Sequence, residues 1–227
     1  MPCTKTGDLR YLVPEQVWAS AYRWQWLYLP VLYGFLGFMT RVQDVATTWY
    51  ARTSGPLRVN YYDSALVRVF LTKALWVSWR IAVPLLVWRV PAATFWLLFV
   101  VSELLTGFYL AWNFEVSHVA GTVEWPAPSA AGVLARPWAE SQVATGVDYA
   151  HHSPAAAWWS GALNYQIEHH LFPGISQYHY PAICDIVRST SAEFGVPYRL
   201  EASFWTAWSS HVRYLFDLGR AGKAHAF

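Results

Sequence analysis

The chain has 227 residues, of which 55% are hydrophobic, 18% aromatic and only 13% charged. A soluble domain usually has about 25% charged residues, so this chain carries too few for an ordinary water-facing surface. Its 15 tryptophans are typical of a protein that meets a membrane boundary, and the composition indicates an integral membrane protein. The net charge of +2 gives no support for nucleic-acid binding, and Cys3 and Cys184 provide neither a disulfide framework nor metal-ligand spacing.

Residues 1–64 are predicted to form a segment that precedes a membrane hairpin. Met1–Arg10 is polar and has no signal-peptide pattern. Trp24–Thr40 then runs for 17 residues without a charge, which at about 1.5 Å per residue is short for a hydrocarbon core of about 30 Å. Because this stretch also contains a proline and two glycines, we expect an interfacial or re-entrant helix that ends at Arg41, Gln43 and Asp44.

Residues 65–113 are predicted to form a transmembrane helical hairpin. The first helix, Val69–Val90, is apolar but interrupted by three basic residues, whereas the second, Val90–Trp112, has a single charge. A tight turn near Arg89–Pro91 would join them. The alternative, a pair of buried helices in a soluble protein, agrees less well with the overall composition.

The single charge of the second helix, Glu103, lies near its middle. A carboxylate at that depth is costly unless it is paired or faces a polar interior. Pairing with Arg80 or Lys73 on the neighbouring helix is the favoured interpretation, and a position lining a substrate tunnel is the alternative.

Residues 114–227 are predicted to form an extramembrane helical cap. A loop rich in proline and glycine, Glu124–Pro137, is followed by a short helix over residues 155–170. Two amphipathic helices follow, over Pro181–Phe194 and Ser203–Leu218. We expect the first to bury Ile183, Ile186, Val187 and Phe194, and the second to bury Trp205, Trp208, Val212 and Phe216, with Gly219 following it. The predicted fold is therefore all-α and membrane-embedded: an interfacial helix, a transmembrane hairpin and a cytosolic cap.

The short helix ends in two adjacent histidines, His169 and His170, one turn after Gln166. Positions i, i+3 and i+4 share a helix face, so these three side chains can converge on one point. Neutral imidazoles that converge in an apolar protein suit a transition metal such as iron, copper or zinc. The following Leu171–Gly174 contains a proline and a glycine that cannot continue the helix, which places the histidines in its last turn.

The other histidines carry weaker signals. His118 follows the predicted hairpin and is a second candidate ligand, because the histidine pair lies downstream in the same chain. His151 and His152 lie before Pro154 and are expected to be solvated loop residues. The remaining three are expected at the surface: His179, His211 and His225. The zinc-hydrolase motifs, a glycine-rich phosphate loop, a Gly-x-Ser-x-Gly elbow and Cys-x-x-Cys are all absent from the sequence.

Residues 161–174, which read GALNYQIEHHLFPG, resemble the third histidine box of membrane fatty acid desaturases. They are most similar to the front-end desaturases, in which glutamine replaces the first histidine of the box. The resemblance covers about residues 20 to 200. It extends to further segments: Tyr28–Gly34, Arg41–Asp44, Asn113–Phe114 with Ser117–His118, Gln142–Val143 through His151, and Ser176–Pro181.

The resemblance implies desaturation of a fatty acyl chain by a di-iron centre, with O2 as co-substrate and electrons from cytochrome b5 and its reductase. It implies that His169 and His170 are iron ligands, that Gln166 occupies the substituted position of the box, and that His118 is an additional ligand. Asn113 would support a metal-bound water. A narrow apolar tunnel would select the carbon that reaches the metal. The implied location is the endoplasmic reticulum membrane. The arginines before the hairpin direct both termini and the metal face toward the cytosol.

The sequence also departs from the family pattern. The first two histidine boxes and the His-Pro-Gly-Gly haem motif of cytochrome b5 do not occur in it. Three imidazoles and a glutamine cannot hold two irons, so the chain resembles the C-terminal half of a desaturase. Three accounts are open: a fragmentary gene model, a half that needs its other half in trans, or a degenerate membrane protein without its own di-iron centre. Sphingolipid desaturation is an alternative activity, because it uses the same boxes.

Overall fold

The computed structural model describes residues 9–13, 16–51, 53–54, 57–58, 63–126, 129 and 131–221. It is mostly helical, as the sequence predicts. The helices and strands group into two compact units, one built from residues 1–31 and 111–227 and the other from residues 32–110. The expectations for the polar residues 1–8, for Cys3 and for His225 lie outside the described residues.

The first helical stretch is longer than the sequence predicts. It begins with a 3-10 turn at Ser20–Trp24 and continues as α1 (Gln25–Leu32), a 3-10 turn at Tyr33–Phe35, α2 (Leu36–Val45) and a π-helical turn at Ala46–Ala51. The expected end at Arg41, Gln43 and Asp44 is wrong, because charged residues do not stop a helix when their side chains find partners. Arg41 donates to the carbonyl of Gly37 and pairs with Glu103.

A short hairpin and two long apolar helices follow. Strands β1 (Thr53–Ser54) and β2 (Leu57–Arg58) pair antiparallel. Helix α3 (Asp63–Val77) continues as a π-helix over Ser78–Val87, and α4 spans Ala92–His118. The π-helical part contains Pro84, whose missing N–H and bulky ring disturb the regular α-helical ladder. The turn lies where the sequence predicts it, and Arg89 there has a left-handed φ of 52°. The stretches Leu66–Val87 and Ala92–His118 are long and apolar enough to cross a membrane.

Helix α4 extends beyond the predicted end at Trp112 and finishes at His118. The fall in apolar content after Trp112 marks the end of the apolar surface and not the end of the helix. Asn113 and Ser117 are buried on the continuing helix. Its last turn therefore presents His118 from a rigid element.

The segments that follow form helices of 6 to 18 residues and two short paired strands. They are α5 (Trp138–Ala144), β3 (Asp148–Tyr149), α6 (Pro154–Ser160), α7 (Gln166–Leu171), a 3-10 turn at Gln177–His179, α8 (Tyr180–Glu193), β4 (Leu200–Glu201) and α9 (Phe204–Ala221). Strands β3 and β4 are parallel, with Asp148 opposite Leu200. The predicted helix over residues 155–170 is broken, because Gly161 and Ala162 both adopt left-handed φ values, of 62° and 61°.

The two amphipathic helices exist, and their buried faces agree with the predicted ones only in part: Val187 is buried as predicted. Helix α8 buries Tyr180, Cys184, Val187 and Ser191. Ile186 and Phe194 are instead 63% and 75% exposed. Tyr180, Cys184 and Ser191 complete the packed face, and the apolar pattern alone did not identify them.

Helix α9 buries Ala207, His211, Leu215 and Gly219, while Trp205 is 68% exposed. Gly219 lies inside the helix, where an added Cβ would come within 2.3 Å of the Tyr22 carbonyl oxygen. The surface position expected for His211 is wrong, because this residue is fully buried and its Nδ1 donates to the Val119 carbonyl at 2.7 Å. His179 is exposed as predicted.

Candidate metal centre

The histidine pair lies on α7, a helix of only six residues. It begins at Gln166 directly after the turn that Gly161 and Ala162 create, and it stops at Phe172, before Pro173. At about 100° of rotation per residue, Gln166 and His170 lie 40° apart around the axis, whereas His169 lies 60° from Gln166 on the other side. The short helix therefore points two of its three candidate side chains in nearly the same direction.

Three of the four candidate ligands meet in the structure. The Gln166 amide nitrogen lies 3.1 Å from Nε2 of His118 and 2.9 Å from Nε2 of His170. The rings of His118 and His170 stack with their centroids 5.0 Å apart. The end of α4 and the start of α7 thus bring one amide and two imidazoles to a single point.

His169 lies beside this point. Its ring centroid is 5.9 Å from that of His170, and its Nδ1 is 3.4 Å from the Tyr180 hydroxyl. Asn113, expected to support a metal-bound water, is buried and accepts a hydrogen bond from the Tyr149 hydroxyl at 3.4 Å. His169 therefore lies next to the point where His118, Gln166 and His170 meet. Asn113 has a hydrogen-bond partner within the protein.

The chemistry of the cluster suits a metal ion. Burial lowers the pKa of His170, and the neighbouring His169 lowers it further, which favours the neutral imidazole that a metal requires. The Oε1 atom of Gln166 and the Nδ1 atom of His170 are buried and have no hydrogen-bond partner within the described residues. Two imidazoles and one amide meet here, with His169 beside them, and such donors suit part of the coordination shell of a transition metal.

A second buried polar group lies behind α7. Asp148 and Glu168 are both 0% exposed, and the Tyr198 hydroxyl oxygen lies 2.5 Å from Asp148 Oδ2 and 2.9 Å from Glu168 Oε1. Nε2 of His151 lies 2.8 Å from the same Oδ2 atom of Asp148. Asp148 Oδ1 accepts the Ile167 backbone N–H at 2.8 Å. We call these four residues, Asp148, His151, Glu168 and Tyr198, the carboxyl cluster.

Burial governs the protonation of the carboxyl cluster. It raises the pKa of Glu168 to about 8, and the neighbouring Asp148 carboxylate raises it further. Burial also raises the pKa of Asp148, to about 6, but the Ile167 and Gln166 backbone N–H groups favour its ionised form. Burial therefore favours a shared proton on this pair of carboxyl groups. The Tyr198 hydroxyl has one hydrogen and contacts both carboxyl groups, more closely at Asp148 than at Glu168.

Sequence reasoning missed the carboxyl cluster and misplaced part of it. His151 was expected in solvent, but its side chain is only 4% exposed. Its neighbour His152 is exposed as expected and lies 3.7 Å from Asp185. Only the Asp-x-x-His spacing of Asp148 and His151 hints at the contact. Neither Glu168 nor Tyr198 could be assigned to it without the fold.

Glu103 also has the kind of partner that the sequence predicts. It is 1% exposed and lies 3.3 Å from the Arg80 guanidinium, as expected, and it also pairs closely with Arg41, which was not expected. Lys73, the other predicted partner, instead bonds Asp44 at 2.7 Å. The carboxylate is thus held by two arginines within the unit formed by residues 32–110.

Comparisons with known proteins place this geometry in context. A family model described as Fatty acid desaturase matches residues 5–202. The chain is 38% identical over 213 residues to the acyl-lipid (8-3)-desaturase of Mortierella alpina, covering 93% of this chain and 47% of that protein. It is 33% identical to the Delta(5) fatty acid desaturase A of Dictyostelium discoideum, with 93% and 46% covered. It is 29% identical to the sn-1 linoleoyl-lipid 6-desaturase of a Synechocystis strain, with 92% and 58% covered. The chain spans about half the length of these curated relatives, and no solved structure gives a significant match.

Proposed function

Because the chain belongs to the fatty acid desaturase family, we propose that it supplies one part of the metal centre of a front-end acyl desaturase. The observation that carries this proposal is the convergence of His118, Gln166 and His170. His169 lies one ring away from them and completes the set. The donors come from two separate helices, so their meeting is a property of the fold and not of the motif alone.

The residues of this site would hold iron and fix its position. His118, His169 and His170 would each give an imidazole nitrogen, and Gln166 would turn its unpartnered Oε1 toward the metal or keep its N–H groups on the rings. When bound, the di-iron centre supplies the O2 chemistry that removes two hydrogens from an unactivated acyl chain. The remaining ligands of that centre would come from outside these 227 residues.

The substrate we propose is a fatty acyl chain attached to a lipid. The Mortierella and Synechocystis relatives are named as desaturases of acyl-lipid or linoleoyl-lipid substrates. Electrons would come from cytochrome b5 and its reductase. The two long apolar helices would cross the endoplasmic reticulum membrane as a hairpin, α1 and α2 would lie at the interface, and the cap over residues 114–227 would face the cytosol.

Complementation in yeast tests this proposal. The chain would be expressed alone and together with the N-terminal half of the Mortierella relative, in cells fed polyunsaturated fatty acids. Gas chromatography of the lipid-bound acyl chains should show an added double bond only in cells that contain both halves. His170→Ala in the present chain should abolish the product, because it removes a metal ligand.

His179→Ala is the matched control, since this histidine lies nine residues further along the chain and is exposed. It should leave the product level unchanged. Product formation by the His118→Ala and His170→Ala variants at wild-type levels would contradict the ligand assignment. Product formation by the chain alone would contradict the conclusion that it holds only part of the centre.

A further inference from the structure

Helix α7 cannot hold its own position. Six residues form too few hydrogen bonds to offset the cost of starting a helix, so isolated helices of this length do not persist in water. The preceding Tyr165 gives no side-chain cap to the first N–H groups. The Ile167 N–H is instead accepted by Asp148, 19 residues earlier in the chain. The cap of α7 thus comes from strand β3.

The second anchor of α7 sets its rotation about its axis. Glu168 lies about 200° from Gln166 and 160° from His170 around the helix, so it points away from the metal-binding face. Its carboxyl group is held by the Tyr198 hydroxyl, which also holds Asp148. One contact fixes the start of the helix and the other fixes the direction in which its opposite face points.

The carboxyl cluster is itself held by strands and by an unusual turn. The N–H of Asp148 donates to the Arg199 carbonyl at 3.0 Å, which places Tyr198 beside β3. His151 lies between Ala150 and His152, whose φ values of 49° and 59° are both left-handed. Such values are unfavourable for residues with a Cβ, and they persist where the surroundings hold them. The strained backbone of this turn positions the His151 ring against Asp148.

Hydrogen bonding explains the carboxyl cluster better than a second metal ion does. Donor atoms of Asp148, His151 and Glu168 lie within 4.8 Å of one another, close enough for a metal. However, the Tyr198 hydroxyl already bridges the two carboxyl groups at 2.5 and 2.9 Å. The bonds form one continuous chain from Glu168 through Tyr198 to Asp148 and His151.

We propose that Asp148, His151, Glu168 and Tyr198 are positioning residues that fix α7 so that Gln166 and His170 point at His118. The role in metal binding rests on the proposed function, whereas the role in ordering α7 does not. None of the four needs to contact the metal. They act on it by setting where the α7 side chains can reach.

Four variants of the full-length chain, purified in detergent, test this inference. Asp148→Ala removes the acceptor of the Ile167 N–H, and Tyr198→Phe removes the bridging hydroxyl. Asp148→Asn keeps an acceptor oxygen at the same place and is the conservative rescue. Leu215→Ala is the stability control. Leu215 is fully buried on α9, so its truncation creates a cavity and leaves the hydrogen bonds of the carboxyl cluster unaltered.

Two measurements are made on each variant: hydrogen exchange of the peptide that covers Gln166–Leu171, and Co²⁺ affinity from visible absorption. Asp148→Ala and Tyr198→Phe should speed exchange in α7 and weaken Co²⁺ binding by about 10- to 100-fold, as loss of a residue that orients metal ligands does. Asp148→Asn should stay close to wild type in both. Leu215→Ala should lower the thermal midpoint, but leave α7 exchange and Co²⁺ affinity unchanged.

The outcomes separate this inference from the proposed function. Unchanged α7 exchange in Asp148→Ala would overturn the inference, as would equal effects of Asp148→Ala and Leu215→Ala. Loss of Co²⁺ binding in Asp148→Asn with α7 still protected would also overturn it, because the carboxyl cluster would then be the metal site. If the wild-type chain binds no Co²⁺ but the exchange pattern holds, the proposed function fails while the positioning of α7 stands.

Discussion

Replacing Glu103 with glutamine tests how the charged residues of the apolar helices are stabilised. The Glu103 side chain is 2% exposed, and it faces Arg41 and Arg80, whose side chains are 32% and 43% exposed. The substitution keeps the size of the side chain but removes its charge. Two guanidinium groups would then share an apolar unit without the carboxylate between them.

The expected cost follows from the distances and the exposure. At 3.3 Å, the separation from Arg80, two unit charges attract by about 5 kcal/mol in an effective dielectric constant of about 20. Both arginines keep about a third or more of their side-chain surface exposed, so solvent screens a large part of this energy. Removing one partner of a fully buried pair costs about 3–5 kcal/mol. We therefore expect Glu103→Gln to lower the free energy of unfolding by about 2–4 kcal/mol.

The assay is denaturant titration of the full chain in mixed micelles, arranged as a double-mutant cycle with Arg41→Met. The double variant should lose less stability than the sum of the two single variants, by about 1 kcal/mol or more, because the residues are in contact. Glu115→Gln is the matched control on the same helix α4. Its carboxylate lies 3.7 Å from Arg10, a long and partly exposed pair, so its loss should cost less than about 1 kcal/mol.

Two results would refute this reasoning. One is a Glu103→Gln variant as stable as wild type, which would show that the arginines find water without their carboxylate. The other is an additive cycle, in which Arg41→Met costs the same with and without Glu103. Either result would leave the substrate-tunnel role as the remaining account of this residue.

Three further substitutions or conditions test the packing. In Gly107→Ala the new Cβ would lie 2.1 Å from the Gly34 carbonyl oxygen. Because backbone atoms cannot rotate away, we expect the free energy of unfolding to fall by about 3 kcal/mol in the same titration. An unchanged stability would contradict the close approach of the two backbones. Gly161→Ala meets nothing within 4 Å but has a φ of 62°, so it should cost only about 1 kcal/mol, and a larger loss would mean that space rather than φ limits this position. Burial lowers the pKa of His211 to about 4. The unfolded chain binds this proton already near pH 6.5, so the stability of the fold should be full above about pH 6.5. The free energy of unfolding should then fall by roughly 3 kcal/mol as the pH drops from 6.5 to 4. Thermal midpoints across this range should show the decrease, and His211→Asn should reduce it; an unchanged slope would place the titrating group elsewhere.

The sequence predicted the elements best where one physical signal dominates. Apolar length identified the two long helices, and Pro91 marked their turn. Tyr180–Glu193 was recognised from the proline near its start and Gly195 beyond its end. These signals are local, so they do not depend on how the rest of the chain packs.

The faces of the helices were harder, because burial depends on what packs against each helix. In α9 the packed positions are Ala207, His211, Leu215 and Gly219, and at Gly219 the Tyr22 backbone comes close, whereas Trp205 is left exposed. The break between α6 and α7 was missed because Ala162 adopts a left-handed φ that its type does not suggest. His211 was expected at the surface because nothing in its local sequence shows the Val119 carbonyl that receives its N–H.

The candidate site was predictable only in part, because local spacing can be read from the sequence and contacts between distant residues cannot. The predicted convergence of Gln166, His169 and His170 rests on local spacing; Gln166 and His170 meet in the structure, whereas His169 lies beside them. The contact between His118 and His170 joins residues far apart in sequence; the sequence made His118 a weak candidate ligand, and the family resemblance strengthened it. For the carboxyl cluster, the family resemblance indicated no contact. Its members come from three separate places in the chain: Asp148 with His151, then Glu168, then Tyr198.

Iron-edge X-ray absorption of the chain loaded anaerobically with Fe²⁺ tests the metal site most directly. The wild-type spectrum should show imidazole nitrogens bound to iron, and His118→Ala and His170→Ala should each reduce that contribution, while His179→Ala should not. A spectrum without imidazole scattering, or one that none of these substitutions changes, would contradict the assignment of His118, Gln166, His169 and His170 to a metal centre.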